Sequence, residues 1–375
     1  MKKKTIKIIA ICIIIIAAII GTCLIKNIEL NINDDKVQTV NETVQTSSKN
    51  LSDENSVINT EETTEEEVEK QTNTNATIVM VGDVLLHTPV SESGIMEDGT
   101  YNYDHLFKNI RNDISAADIA IVNEEVVLGG KELGISGYPS FNGAYEVGDA
   151  IVNAGFDVVL HATNHALDKG KIGVTNCLNF WKKYSEIGVV GINLSQDEQN
   201  NIYVKEVNGI KIAILNYTYG TNGISLPDNM PYIVNLLDKE KIEKDVNTAK
   251  TISDFIIVCP HWGTEYTHQE TEEQEEWAKY FANLGVNLVI GTHPHVIEPV
   301  KWVESPNGNR TLVYYSLGNF INATSDYGEG TADRMVGAMA NITIEKTNEG
   351  NVRIVDYKAI PLVTQMITGR GMITT

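Results

Sequence analysis

Asn287-Leu288-Val289-Ile290-Gly291-Thr292-His293-Pro294-His295 is a short apolar run that stops at a glycine and opens at once into two histidines. Such a run, bounded by a turn signal, reads as a buried strand with the histidines at its exit. Working outward, β-branched runs recur over residues 77–86, 119–122, 157–160, 188–192, 211–216, 254–259 and 311–316. Amphipathic segments over 174–184, 238–251 and 270–284 lie between them. This alternation predicts an α/β domain, a sheet flanked by helices. Residues 336–345 and 352–360 are strand-like with no strong helix between them, which predicts antiparallel pairing there. No internal repeat of fixed period is visible.

Five of the eight histidines fall at or just after predicted strand ends, where ligands bind in sheets of this kind. The first strand runs into Gly82-Asp83, with His87 further on. The second ends in Asn123-Glu124-Glu125, the third in Asn164-His165-Ala166-Leu167-Asp168, and later ones in His261 and in the His293/His295 pair. Alternate residues of an extended segment point the same way, so His293 and His295 are expected to share a cation. Each residue has a plainer use: Asp83 as a turn or N-cap residue, His165 as a cap, His261 as a core histidine. Together, Asp83, Glu124 or Asn123, Asn164, His165, His261, His293 and His295 make a mixed oxygen and nitrogen shell. Mn, Fe or Zn accepts such a shell without thiolates. Glu265 and Asp168 are then candidates to orient or deprotonate a metal-bound water, Glu265 having the alternative of fixing a ligand imidazole. Asn319, in a Gly-Asn turn, either bonds substrate or shapes its loop. His161 is expected to support the Asn164-His165 loop, and His105 and His268 to face solvent.

The chain has 375 residues, with 29 basic against 50 acidic side chains and a net charge of -21. That balance excludes a general nucleic-acid binder, and four cysteines exclude a disulfide scaffold. Lys2, Lys3, Lys4 and Lys7 precede an apolar run over residues 8–25 that closes at Lys26. Eighteen residues at helical rise reach roughly 27 Å, enough to cross a bilayer. The lysines put the N-terminus inside, so residues 1–26 are expected to be an uncleaved single-pass membrane anchor, with everything after it outside the cell membrane. A cleaved signal peptide, or lipidation at Cys23, is the competing reading. Residues 27–75 carry three lysines against twelve acids and are expected to be a disordered tether. The remaining domain, 76–375, has a net charge of -17, so an anionic ligand needs a local cation. Cys177 and Cys259 are expected to be buried thiols, with a disulfide between them left open.

The ordered series Gly82-Asp83, Asn123-Glu124, Asn164-His165-Ala166-Leu167-Asp168, His261-Trp262-Gly263-Thr264-Glu265-Tyr266, Gly291-Thr292-His293-Pro294-His295-Val296 and Ser316-Leu317-Gly318-Asn319-Phe320 resembles the CapA family of capsule or poly-γ-glutamate synthesis proteins. The resemblance spans about residues 77–320 and implies a fold similar to the calcineurin-like metallophosphoesterases, a four-layer αββα sandwich with a dimetal centre at one edge. By resemblance, Asp83 takes the place of the first metal aspartate and Glu124, or Asn123, stands near that of the bridging acid. Asn164 and His165 match the Asn-His motif, and His261 the isolated histidine. His293 and His295 match the closing pair. It also implies attachment to a bacterial membrane beside polyglutamate synthase subunits. Three features depart from the phosphoesterase pattern: no histidine stands two residues after Asp83, Asn123-Glu124 replaces an aspartate motif, and Asp168 lies three residues beyond His165.

If the chain is an enzyme, the expected chemistry is metal-assisted hydrolysis or transfer, including trimming of the polymer or action on another cell-envelope ester. The rival expectation is a non-catalytic accessory that binds the carboxylates of an anionic polymer or the membrane synthase. A polyanion would be repelled from most of the surface beyond a Debye length of about 8 Å and would approach through the metal rim. No Gly-x-x-x-x-Gly-Lys-Ser/Thr loop is visible, which argues against ATP-dependent ligation by this chain.

Overall fold

A computed structural model describes residues 73–323, 330–367 and 371–374. The expected anchor and nearly all of the expected tether lie outside these residues. Among the described residues no helix is long and apolar enough to cross a membrane. The ordered chain begins slightly earlier than expected, because Thr74 and Asn75 already pair with Lys346 and Glu345.

Among the described residues the strands in chain order are β1 Thr74–Val84, β2 Ile119–Glu124, β3 Val158–Leu160, β4 Gly188–Val190, β5 Tyr203–Val207, β6 Ile210–Thr218, β7 Phe255–His261, β8 Leu288–Ile290, β9 Val300–Glu304, β10 Arg310–Tyr314, β11 Asn319–Ile321, β12 Val336–Lys346, β13 Val352–Ile367 and β14 Gly371–Thr374. They form two mixed sheets. One has the order β14-β13-β12-β1-β2-β3-β4 with β11 also paired to β1, and the other the order β5-β6-β7-β8-β10-β9. Within the first, β1 to β4 are parallel, while β12 and β13 add the antiparallel pair expected near the C-terminus. Within the second, β6, β7, β8 and β10 are parallel, and antiparallel β5 and β9 close the edges.

Period-two alternation assigns each strand's two faces to different cores. Ile78 and Met80 of β1, Ile119 and Ile121 of β2, and Ile257 and Cys259 of β7 meet between the sheets. Val79, Val81, Ala120 and Val122 face the other way. There they meet α1 (Tyr145–Ala154) through Val147 and Ile151, and α2 (Gly170–Trp181) through Val174 and Phe180. The outer face of the second sheet, with Ile256 and Val258, packs on α3 (Lys239–Ile252) and α4 (Glu272–Asn283) through Val246 and Phe281. Local chemistry sets the helix starts: Asp238 accepts the Lys241 amide, and Thr271 with Gln274 forms a reciprocal capping box. Cys177 and Cys259 are free, buried thiols in different cores.

One irregularity positions the site. β12 runs beside β1 only as far as Val81, and β11 takes its place at Asp83 and Val84. Gly82 sits at the handover, where a Cβ would lie 1.9 Å from the Gly318 carbonyl oxygen. The register between β1 and β2 shifts at the same point and delivers Asp83 beside Asn123.

Candidate metal centre

The parallel strands of both sheets end at one rim, above the core between the sheets. Strand parity explains which side chains reach it. His261 continues the inward series Phe255, Ile257, Cys259, and Asn123 continues Ile119 and Ile121. Glu124 shares the parity of Ala120 and Val122 and points to the helix layer, where its charge bears on buried Cys177. The acid at the rim is therefore Glu125, one residue past the strand, whose amide donates to the Val84 carbonyl at 3.3 Å.

Glu125 is fully buried, with both carboxylate oxygens lacking a hydrogen-bond partner. Its Oε1 lies 3.7 Å from His261 Nε2, and its Oε2 3.8 Å from His295 Nδ1. His295 Nδ1 is also 3.2 Å from Asp83 Oδ2 and 3.0 Å from Asn319 Oδ1. Asp83 accepts from Asn123 Nδ2 at 2.8 Å and from the His293 amide at 3.3 Å. Three groups of potential ligand atoms, each within 4.8 Å of one another, result: Glu125 with His261 and His293, Asp83 with Glu125 and His295, and Glu265 with His293 and His295. Glu125 belongs to two of them.

Burial pushes the Glu125 carboxyl well above the ordinary carboxylate range. It drives His261 and His293 well below the ordinary histidine value, with neighbouring imidazoles adding to the effect. His295 is the exception: burial alone would lower it, but the Glu125 and Asp83 carboxylates outweigh burial and hold it at about 9. His261 Nδ1 lies 3.0 Å from Thr292 Oγ1, and its Nε2 2.8 Å from Asn164 Oδ1. With the proton on Nδ1, three acceptors converge: His261 Nε2, Asn164 Oδ1 and Glu125 Oε1. A cation relieves that convergence, and it also gives a partner to His293 Nδ1, which is buried without one. The donor set thus fits a divalent cation.

His293 and His295 reach the site by a different route from the expected extended segment. Their φ angles are 99° and 61°, so each sits in left-handed backbone. The loop curls, bringing the rings to 5.8 Å between centroids. Two non-glycine residues held in this conformation store strain that the surrounding contacts must sustain.

His165 and Asp168 stand slightly apart. His165 Nδ1 is 2.7 Å from Asp168 Oδ2, which also accepts the Phe141 amide at 2.7 Å. Asp168 thus holds His165 and its loop together, and His165 is not among the three grouped ligand sets. Glu265 is solvent-exposed beside His293 and His295. Asn319 serves its loop and His295 together, its Nδ2 donating to the His295 and Arg334 carbonyls. His161 turns away from the site: burial lowers it to about 3, and as a neutral acceptor it takes the Trp181 indole N–H at 2.9 Å. His268 is exposed, whereas His105 is half-buried, 3.0 Å from Ser93 Oγ.

Glu125, which directly follows Asn123-Glu124, and the aromatic rim are the site residues that the sequence motifs do not single out. Tyr219, about half exposed, lies against His293 with ring centroids 4.7 Å apart, and Tyr266 lies 5.9 Å from His295. Only parity pointed to the first, and no local pattern marked the tyrosines.

The sequence profile of the family described as "Bacterial capsule synthesis protein PGA_cap" matches residues 77–324. The chain is similar to the PGA biosynthesis protein CapA of Bacillus subtilis, 31% identical over 201 residues that cover 53% of this chain and 50% of that protein. It is similar also to the capsule biosynthesis protein CapA of Bacillus anthracis, 27% identical over 68% of this chain and 61% of that protein. The matches therefore span only 50% and 61% of those relatives' lengths. Among solved structures, the NAD nucleotidase of Haemophilus influenzae is 14% identical with a TM-score of 0.48, over 80% of this chain and 59% of that one. A 5'-nucleotidase precursor from Thermus thermophilus is 16% identical with a TM-score of 0.46, over 77% and 54%.

Proposed function

Since this chain belongs to the bacterial capsule synthesis protein family, we propose that it is a divalent-metal-dependent hydrolase of the cell envelope, acting on an anionic capsule polymer of the poly-γ-glutamate kind. The observation that carries this reading is Glu125, fully buried between His261 and His295 with neither oxygen satisfied by the protein. A charged group buried so is costly unless a cation completes it.

In this reading Glu125, His261, His293 and Asn164 would hold one ion, and Asp83, Glu125 and His295 could hold a second. Glu265 is available to either and to a water at the solvent edge. A bound Mn, Fe or Zn lowers the pKa of a coordinated water and polarises a phosphoryl or carbonyl oxygen. The chain's own part is to place His165: with Nδ1–H given to Asp168, the ring is fixed and Nε2 is left as an acceptor that takes a proton from the attacking water and can then return it to the leaving group. That orientation device favours catalysis over simple polymer binding. We assign residues 1–26 to a membrane anchor and residues 27–72 to a tether that holds the domain outside the cell beside membrane synthase subunits.

Elemental analysis of the purified full-length protein, paired with phosphomonoester, phosphodiester and poly-γ-glutamate cleavage assays with and without Mn²⁺, tests the proposal. Stoichiometric metal and metal-dependent turnover support it. Metal without turnover points to the accessory role, and absence of metal contradicts the site.

A further inference from the structure

The rim next to His295 carries a cation that the proposed chemistry does not use. Arg334 is half-buried, and its guanidinium carbon lies 5.0 Å from the centre of the Tyr266 ring. Tyr266 in turn lies 5.9 Å from the His295 ring. Both members of this stack are tied to the histidine loop. Tyr266 is held in left-handed backbone at φ 65°, a costly conformation for an aromatic residue, and its amide donates to the Pro294 carbonyl at 2.8 Å. Arg334 is tied through its backbone: its carbonyl accepts Asn319 Nδ2 at 2.9 Å, and the same Asn319 places Oδ1 3.0 Å from His295 Nδ1.

The arginine side chain is left underused. Among the described residues its Nε is buried without a hydrogen-bond partner, and Nη2 makes a 3.5 Å contact with Thr331 Oγ1. Among the described residues no carboxylate lies within ion-pair distance of it, whereas Arg310 is paired with Glu304 at 3.1 Å and Arg353 with Glu345 at 2.8 Å. A guanidinium stacked on an aromatic face keeps its N–H edge open for a planar or tetrahedral oxyanion. Nearby charges are otherwise acidic: Asp83, Glu125 and Glu265 surround the histidines.

We propose that Arg334, laid on Tyr266, is the substrate-anion anchor of this site, binding a carboxylate or phosphate group that flanks the bond presented to the His293/His295 rim. The assignment rests on the reading of the rim as a substrate site and adds the chemical class of what is recognised there. It also bears on how an anionic chain approaches a domain of net charge -17: a cation with no carboxylate partner among the described residues stands at the rim.

The test is calorimetric titration of the full chain with inorganic phosphate and, separately, with a γ-linked glutamate trimer. It compares the wild type with Arg334→Gln, Arg334→Lys and Arg310→Gln, the last a charge-matched control. The Gln and Lys side chains keep the stem, and Asn319 grips the backbone of Arg334, so the fold is retained; thermal unfolding checks this. Arg334→Gln should weaken binding of at least one anion by about tenfold to a hundredfold. Arg334→Lys should restore part of the loss, and Arg310→Gln should match the wild type. Selective loss of trimer binding assigns the carboxylate, and selective loss of phosphate binding the phosphoryl group. Equal affinities in wild type and Arg334→Gln overturn the proposal, as does a wild type that binds neither anion. Metal stoichiometry, measured on the same samples, should be unchanged by Arg334→Gln; a metal-free wild type would sink the metal reading while the anion titrations still decide this one.

Discussion

Asp168 Oδ2 sits 2.7 Å from His165 Nδ1 and 2.7 Å from the Phe141 amide nitrogen, so one carboxylate oxygen fixes both the imidazole and the loop beside it. Phe141 completes the clamp with its ring, 4.6 Å from that of His165 in an edge-on contact. Asp168→Asn keeps the shape and removes the charge that orients the ring. Turnover should fall by about a hundredfold to ten-thousandfold with metal content unchanged. Unchanged turnover in the Asn variant would return Asp168 to a purely structural role.

The two adjacent acids at the end of β2 should separate cleanly. Glu125→Gln removes the carboxylate shared by two ligand groups and should strip metal from the protein. Glu124→Gln, on the helix-layer face and fully buried with a carboxyl that burial pushes well up, should leave metal content intact. Elemental analysis of both variants decides it, and metal loss from Glu124→Gln alone would reverse the assignment.

That pair also shows what was legible in the sequence. The alternation of apolar runs was enough for an α/β domain, and the polar residues at the strand ends located the rim. Parity along β7 likewise aimed His261 inward. What the sequence hid depends on pairing between distant segments. The shift at Gly82 exists because β11 replaces β12 beside β1, and no local pattern encodes that exchange. The His293/His295 pair was expected on extended backbone and instead uses two positive φ angles. His161 resembled a loop support until Trp181, twenty residues on, claimed its ring. Tyr219 and Tyr266, from two loops, and Arg334, at the end of the short helix Thr331–Arg334, meet only in the fold.

Gly82 offers a test of that exchange. A methyl group there would meet the Gly318 carbonyl oxygen at 1.9 Å, and both partners are backbone. Gly82→Ala should cost about 1–3 kcal/mol of stability and, by moving Asp83, weaken metal retention. A variant with wild-type unfolding midpoint and metal content would show that β1 and β11 tolerate separation.

Glu298 supplies a pH signature. It is buried beneath the histidine loop, and its Oε2 accepts Gln274 Nε2 at 2.7 Å. Burial outweighs that hydrogen bond and pushes the carboxyl from 4.5 up to about 7. A raised folded-state value means its contribution to stability is full below pH 4.5 and is lost as pH rises through about 7. Thermal unfolding across that window should show a steeper decline in the wild type than in Glu298→Gln, where the carboxamide still accepts from Gln274. Parallel profiles would remove Glu298 from the balance.

The central claim is that the imidazoles and carboxylates at the rim hold a divalent metal. Elemental analysis of the full-length wild type beside the His293→Ala/His295→Ala double variant tests it most directly. Stoichiometric Mn, Fe or Zn is expected in the wild type and none in the double variant. A metal-free wild type, or full occupancy in the double variant, would contradict it.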